Sequence, residues 1–133
     1  MNRVLLPEGW PRPSGYANGL AVPAGLLVFV AGQVGWNPLT MQFESDDMAL
    51  QTAQALRNVV AVLAAGGAGP QHLVRMTWYV TDREAYRGAL RAIGAAYREI
   101  AGAHYPAMTL LVVAGLLETR ALIEIEATAV VTG

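Results

Sequence analysis

A chain of 133 residues is expected to form one domain over residues 1–133, long enough to bury a proper core. Its net charge of −1 and its nine Lys+Arg residues, scattered without a cluster, give no footprint for nucleic acid. With no cysteine there is no disulfide framework, thiol nucleophile or thiolate metal site. Only 14% of residues are charged, against a usual share of about 25%, and 54% are hydrophobic. That shortage predicts surface buried against other copies of the chain. The first apolar run is too short for a signal peptide and is soon broken by prolines. No apolar stretch reaches the roughly 18 residues of a membrane span without glycine or charge intervening. A cytoplasmic protein with no membrane partner is expected.

Residues 7–15, PEGWPRPSG, are punctuated by proline and glycine and read as an irregular arm. Tyr16 to Val22 is a candidate first short strand. Leu26 to Val34, LLVFVAGQV, is β-branched, aromatic and apolar on both faces, a strand that Gly35–Trp36–Asn37–Pro38 breaks. The polar segment up to Ser45 reads as a loop or a weak extra hairpin. Asp46–Asp47 then offers a helix cap, and Ala49, Ala53, Leu56, Val60 and Leu63 mark one apolar stripe that ends at Gly66–Gly67. Leu73 to Thr81 is a strand with Val74, Met76, Trp78 and Val80 on one face. A second helix begins near Thr81–Asp82, carries Tyr86, Leu90, Ile93, Tyr97 and Ile100 at helical spacing, and fades at Gly102. Met108 to Leu116 and Ala121 to Val131 complete the order ββαβαββ. Two amphipathic helices, each with one stripe to bury, predict an α+β two-layer sandwich with both helices on one face of a mixed sheet. The other sheet face is left bare and too apolar to meet water everywhere.

The stretch Leu122 to Val130, LIEIEATAV, holds two carboxylates at period two, so Glu124 and Glu126 share one strand face. A carboxylate buried in an apolar strand is unfavourable unless it is paired, hydrogen-bonded or protonated. Glu126 reads as structural, as in an ion pair with Arg75 or Arg120, whereas composition does not choose a role for Glu124. Metal binding is poorly served: His72 and His104, the only histidines, are far apart and lack ligand spacing. Ser14 and Ser45 lie outside any strand–turn–helix elbow, which disfavours a serine hydrolase. Gly32 inside a strand implies a bulge or a close approach of backbone or ligand. Tyr16 after a glycine either packs or covers a cleft.

Taken in order, several of these residues resemble the RidA/YjgF/UK114 (Rid) family, over nearly the whole chain. They are Tyr16 after a Pro-rich arm, Ala31–Gly32–Gln33, Gln51 with Leu56–Arg57–Asn58–Val59, Val80–Thr81–Asp82, Tyr105–Pro106–Ala107 and Ile123–Glu124–Ile125–Glu126–Ala127. The resemblance implies a chorismate-mutase-like fold and a homotrimer that binds a small-molecule ligand in clefts between subunits. It also implies hydrolysis of reactive enamines and imines, such as 2-aminoacrylate, without cofactor or metal. By the same resemblance Glu124 positions the attacking water, Tyr16 is the cleft tyrosine, and Gly32 and Leu110 offer their backbones to the substrate.

One departure stands out. Where the family pattern has an arginine after Pro-Ala to grip the substrate carboxylate, this chain has Met108, which supplies neither charge nor paired donors. An asparagine of the family's second helix falls near Leu90–Arg91 and is not kept. Three readings follow: a divergent hydrolase of a different or less acidic imine, with Met108 lining its pocket; a non-catalytic ligand-binding or regulatory trimer; and an ordinary 2-imino-acid deaminase in which Arg75, Arg91 or Arg120 compensates. Older family labels such as ribonuclease or translation inhibitor sit badly with a chain that lacks a basic patch.

Overall fold

The computed structural model describes residues 2–132. In chain order its elements are β1 (Arg3–Leu5), β2 (Gly19–Ala21), β3 (Leu26–Val34), α1 (Met48–Ala65), β4 (Leu73–Val80), α2 (Arg83–Gly88), α3 (Leu90–Ala101), β5 (Ala107–Val112) and β6 (Ile123–Val131), with a 3₁₀ turn at Pro70–His72. Four strands form a mixed sheet in the order β3–β6–β4–β5. β6 is antiparallel to both β3 and β4, and β4 is parallel to β5. The α+β sandwich expected from the sequence is thus present, with the helices layered on one face.

Strand alternation sorts the residues. On β6, Ile123, Ile125, Ala127 and Ala129 are buried against the helices, with Met76, Trp78 and Val80 of β4 beside them. The core closes with Ala55, Leu56, Val59 and Leu63 of α1 and Ile93 and Tyr97 of α3. The opposite face carries Glu124, Glu126 and Thr128. There the β3 edge leaves Leu27 and Phe29 55% and 71% exposed. Val74, placed with the core face by simple alternation, loses that position to Leu73, because a register shift between Leu73 and Arg75 resets the pleat.

Two expectations are corrected. The segment Tyr16–Val22 is not a strand of the sheet: only Gly19–Ala21 is extended, and it pairs with Arg3–Leu5 in a separate ribbon. Three-residue partners separated by a long Pro- and Gly-rich arm leave little pattern to read. The second helix is two helices. Ala89, at φ −104° and ψ 5°, ends α2 and opens α3 just after Gly88, a residue that disfavours a helix interior by about 1 kcal/mol relative to alanine.

Helix α1 begins as predicted, with the Asp47 carboxylate accepting the Leu50 N–H at 2.9 Å. Its buried polar residues matter more than its cap. The Gln51 side chain, 1% exposed, donates to the carbonyls of Ser45 (2.9 Å) and Arg120 (3.0 Å) and accepts the Leu122 N–H (2.8 Å). About two turns later, Asn58 donates to the carbonyls of Val34 (3.1 Å) and Trp36 (2.9 Å) where β3 ends. Close approach of β3 to α1 requires Gly35, since an added Cβ there would lie 2.7 Å from the Gln51 Cα.

Removing the Gln51 amide leaves three part-buried backbone groups, from the loop before α1 and the link before β6, without their partner. Gln51→Leu is expected to lower the free energy of unfolding by about 2–4 kcal/mol in urea titration, whereas Leu50→Ala, on the exposed side, shifts it by less than about 0.5 kcal/mol.

Candidate functional site

The candidate residues fall into two groups on opposite faces of the sheet. On the open face, Glu124 of β6 lies against Gly32 of β3. A Cβ built on Gly32 would overlap the Glu124 carboxylate, and its Cδ is only 2.8 Å from that position. The glycine is there because the carboxylate occupies the space a side chain would need. A register shift between Val30 and Gln33 puts one extra residue in β3 at this point, so the strand bulges where Gly32 meets Glu124. The two ion pairs among the described residues, Arg87–Glu84 and Arg120–Asp46, do not involve Glu124.

Glu126 lies on the same face, as period two requires, but its partner is not an arginine. The Tyr79 hydroxyl donates to Glu126 Oε1 at 3.1 Å across the β4–β6 pair. Arg120 is held elsewhere. It donates through Nε and Nη2 to Asp46 Oδ1 at 3.0 and 2.9 Å and through Nη1 to the Phe43 carbonyl, and it lies 5.7 Å over the Phe43 ring. The sequence could not see this, because the loop 37–47 that supplies both partners has no periodic signal.

The second group lines a cavity of about 780 Å³ on the helix side of β5. Its walls include Tyr16, Trp78, Tyr97, Tyr105, Met108 and Leu110. Met108 and Leu110 pair in register with Met76 and Trp78, which places them on the core-facing side. The arm brings Tyr16 to the same place, because the Ala17 N–H donates to the Pro106 carbonyl at 3.0 Å and forms a parallel bridge with Ala107. Aromatic rings build the floor: Tyr97 and Tyr105 stack with centroids 5.1 Å apart, and Trp78 tilts against Tyr97 at 6.4 Å. The Trp78 Nε1–H is buried without a hydrogen-bond partner among the described residues.

Tyr16, Met108 and Leu110 are therefore brought together, and Gly32 and Glu124 are brought together, but the two groups are separate within one chain. None of the three arginines considered as compensators lines the cavity. Arg98 does, and sequence reasoning missed it. The signal was present: Leu90, Gly94 and Arg98 form an i, i+4 row beside the apolar stripe, interrupted by glycine and ended by a cation. His72 and His104 have structural partners. His72 Nδ1 accepts the Gly69 N–H at 2.9 Å, and His104 Nε2 donates to the Leu73 carbonyl at 2.7 Å. Among the described residues no cluster of His, Cys, Asp and Glu is suited to a metal ion, and no helix is long and apolar enough to cross a membrane.

The Endoribonuclease L-PSP family model matches residues 11–131, a span that includes the whole sheet and both groups of candidate residues. The chain belongs to the Rid family. A RutC family protein of Pyrococcus horikoshii is 33% identical over 130 residues, covering 97% of this chain and 98% of the relative. The 2-iminobutanoate/2-iminopropanoate deaminase of Escherichia coli K12 is 32% identical over 131 residues, covering 98% of each. Among solved structures, the Rid family protein YyfB of Yersinia pestis, described as of unknown function, superposes with a TM-score of 0.85 at 34% identity over 98% of both chains.

Three tyrosines of this Rid protein hold their protons more tightly than usual. Tyr79 is raised mainly because its hydroxyl donates to the Glu126 carboxylate, Tyr86 because it is partly buried, and Tyr97 by burial and then by the neighbouring Tyr105. Each keeps its proton to higher pH in the folded chain than in the unfolded one. Folding thus favours the protonated state, and stability present below the ordinary tyrosine pKa is lost as pH rises through the folded values. The urea midpoint is expected to be flat from about pH 7 to 9 and to fall above about pH 10, with Tyr97→Phe reducing the slope of the fall.

Proposed function

We propose that this Rid protein hydrolyses a reactive enamine or imine to a carbonyl compound and ammonia, in clefts between the subunits of a homotrimer. The observation that carries the reading is the space Gly32 leaves for the Glu124 carboxylate of β6. A half-buried carboxylate outside any ion pair is free to accept a proton from water and hold that water in one orientation. The water oxygen bonds to the electrophilic imine carbon while its proton passes to Glu124. The C=N bond becomes a C–N single bond as the nitrogen takes the proton that Glu124 received, which gives a carbinolamine and restores the carboxylate. The carbinolamine hydroxyl proton then passes to the nitrogen through Glu124, the C–N bond breaks, ammonia leaves and a C=O group remains. Positioning and proton management suffice, because the carbon is already activated.

Glu124 with Gly32 and Tyr16 with Met108 face opposite sides of one sheet, so a small molecule touching both sets needs two copies of the chain. That requirement, the exposed Leu27 and Phe29 of the β3 edge and the low charge content all favour an oligomeric cleft. The name of the Escherichia coli relative supports the reaction class. Met108 in the cavity wall supports a substrate different from 2-aminoacrylate, since the thioether offers no bidentate grip on a carboxylate.

Imines generated in place by an amino-acid oxidase provide the test, with ammonia release as the readout. Glu124→Gln is expected to lower kcat/KM by about 10²–10⁴-fold with little change in melting temperature, and Gly32→Ala to lower it by about tenfold or more by displacing the carboxylate. A wild-type protein inert on the whole panel sinks the hydrolase reading and leaves a ligand-binding trimer, and a Glu124→Gln variant at full rate overturns the role given to Glu124. Met108→Arg is expected to raise 2-aminoacrylate turnover by about tenfold or more, the return of a charge-assisted carboxylate contact.

A further inference from the structure

We propose that Arg98 is the anion-binding residue of the aromatic cavity, and that the cavity takes a carboxylate carried on a bulky aromatic or apolar group. The inference rests on the reading above only in taking this cavity as part of the substrate site.

Four observations converge. Arg98 lines the cavity and, among the described residues, forms no ion pair with a carboxylate. One turn earlier on the same helix row, Gly94 has no side chain to fill the space. The nearest atom to a Cβ built there is the Arg98 Nη1, at 3.5 Å, so the guanidinium lies back over the glycine notch and beside the cavity. Glycine within a 12-residue helix disfavours it by about 1 kcal/mol relative to alanine, and the return here is room. The other walls include Trp78, Tyr97, Tyr105 and Met108, which offer flat and polarizable surface, and none of them carries a second positive charge.

A cavity of about 780 Å³ is also far larger than a three-carbon imino acid needs. With Met108 where the family resemblance implies an arginine, the positive charge of the cavity is carried by Arg98 on α3 and not by β5. A ligand whose carboxylate reaches Arg98 can lay its side group along Trp78 and the stacked tyrosines. A short acid has nothing to place there. Arg75, Arg91 and Arg120 do not compete for that carboxylate, since none lines the cavity.

Binding of non-reactive probes to the full-length protein by titration calorimetry separates this proposal from the hydrolysis reading. The probes are 3-phenylpropionate, its neutral amide and propionate. Wild type is expected to bind 3-phenylpropionate at least about tenfold tighter than either of the other two, and Arg98→Gln to bring the acid to the level of the amide without weakening the amide. Arg91→Gln, outside the cavity, is expected to change nothing, and Gly94→Leu to weaken acid and amide alike by filling the notch. Equal affinity for acid and amide in wild type, equal affinity for propionate, or discrimination that survives Arg98→Gln overturns the proposal. If these preferences hold while every imine in the panel is left intact, the ligand assignment stands and only hydrolysis falls.

Discussion

The buried amide of Gln51 is the contact on which the rest of the structure leans. Its three hydrogen bonds join the start of α1 to the loop before it and, at Arg120 and Leu122, to the end of the link that leads into β6. Asn58 does the same for the end of β3. Between them the two amides hold, from one helix, the strand ends nearest Gly32 and Glu124. A hydrophobic residue at either position would bury area comparably but could not set where the strands begin and end. Buried polar groups with every bond made specify position in a way that apolar packing does not.

Pleat geometry decides the rest of the site. Because side chains alternate, a strand that packs Ile123 and Ile125 against helices has to present Glu124 and Glu126 to the other side. The same rule turns Met108 and Leu110 toward the helices through their registers with Met76 and Trp78. The two candidate groups thus lie on opposite faces of one sheet, a direct result of register. The bulge in β3 then tunes the open face by bringing a residue without a side chain against the Glu124 carboxylate.

Much of this was legible in the sequence. The cap at Asp47, the alternation in β4 and β6, the stripe of α1 and the shared face of the glutamates are local patterns, and local patterns survive folding when they agree with the tertiary structure. What was not legible depended on long-range partners. Glu126 meets Tyr79 across a strand pair, and Arg120 is captured by a loop some seventy residues earlier in the chain. Arg98 hid for a different reason: an arginine on a helix next to an apolar stripe reads as solvated, and only the cavity beside it gives the charge a purpose. The break at Ala89 was equally hidden, because the apolar spacing continues across it.

The strand order has a consequence for how the chain is made. β6 lies between β3 and β4 yet follows both in sequence, so β3 has no ladder partner, and β4 has only β5, until residues 123–131 are available. Gln51 is in the same position, since two of its three bonds wait for Arg120 and Leu122. On a ribosome, α1 and β3 would emerge long before the segments that satisfy them. The central sheet therefore cannot form vectorially from the N-terminus. Nascent chains must keep the apolar β3 edge unpaired until β6 has been made, the interval in which such an edge is most exposed to wrong partners.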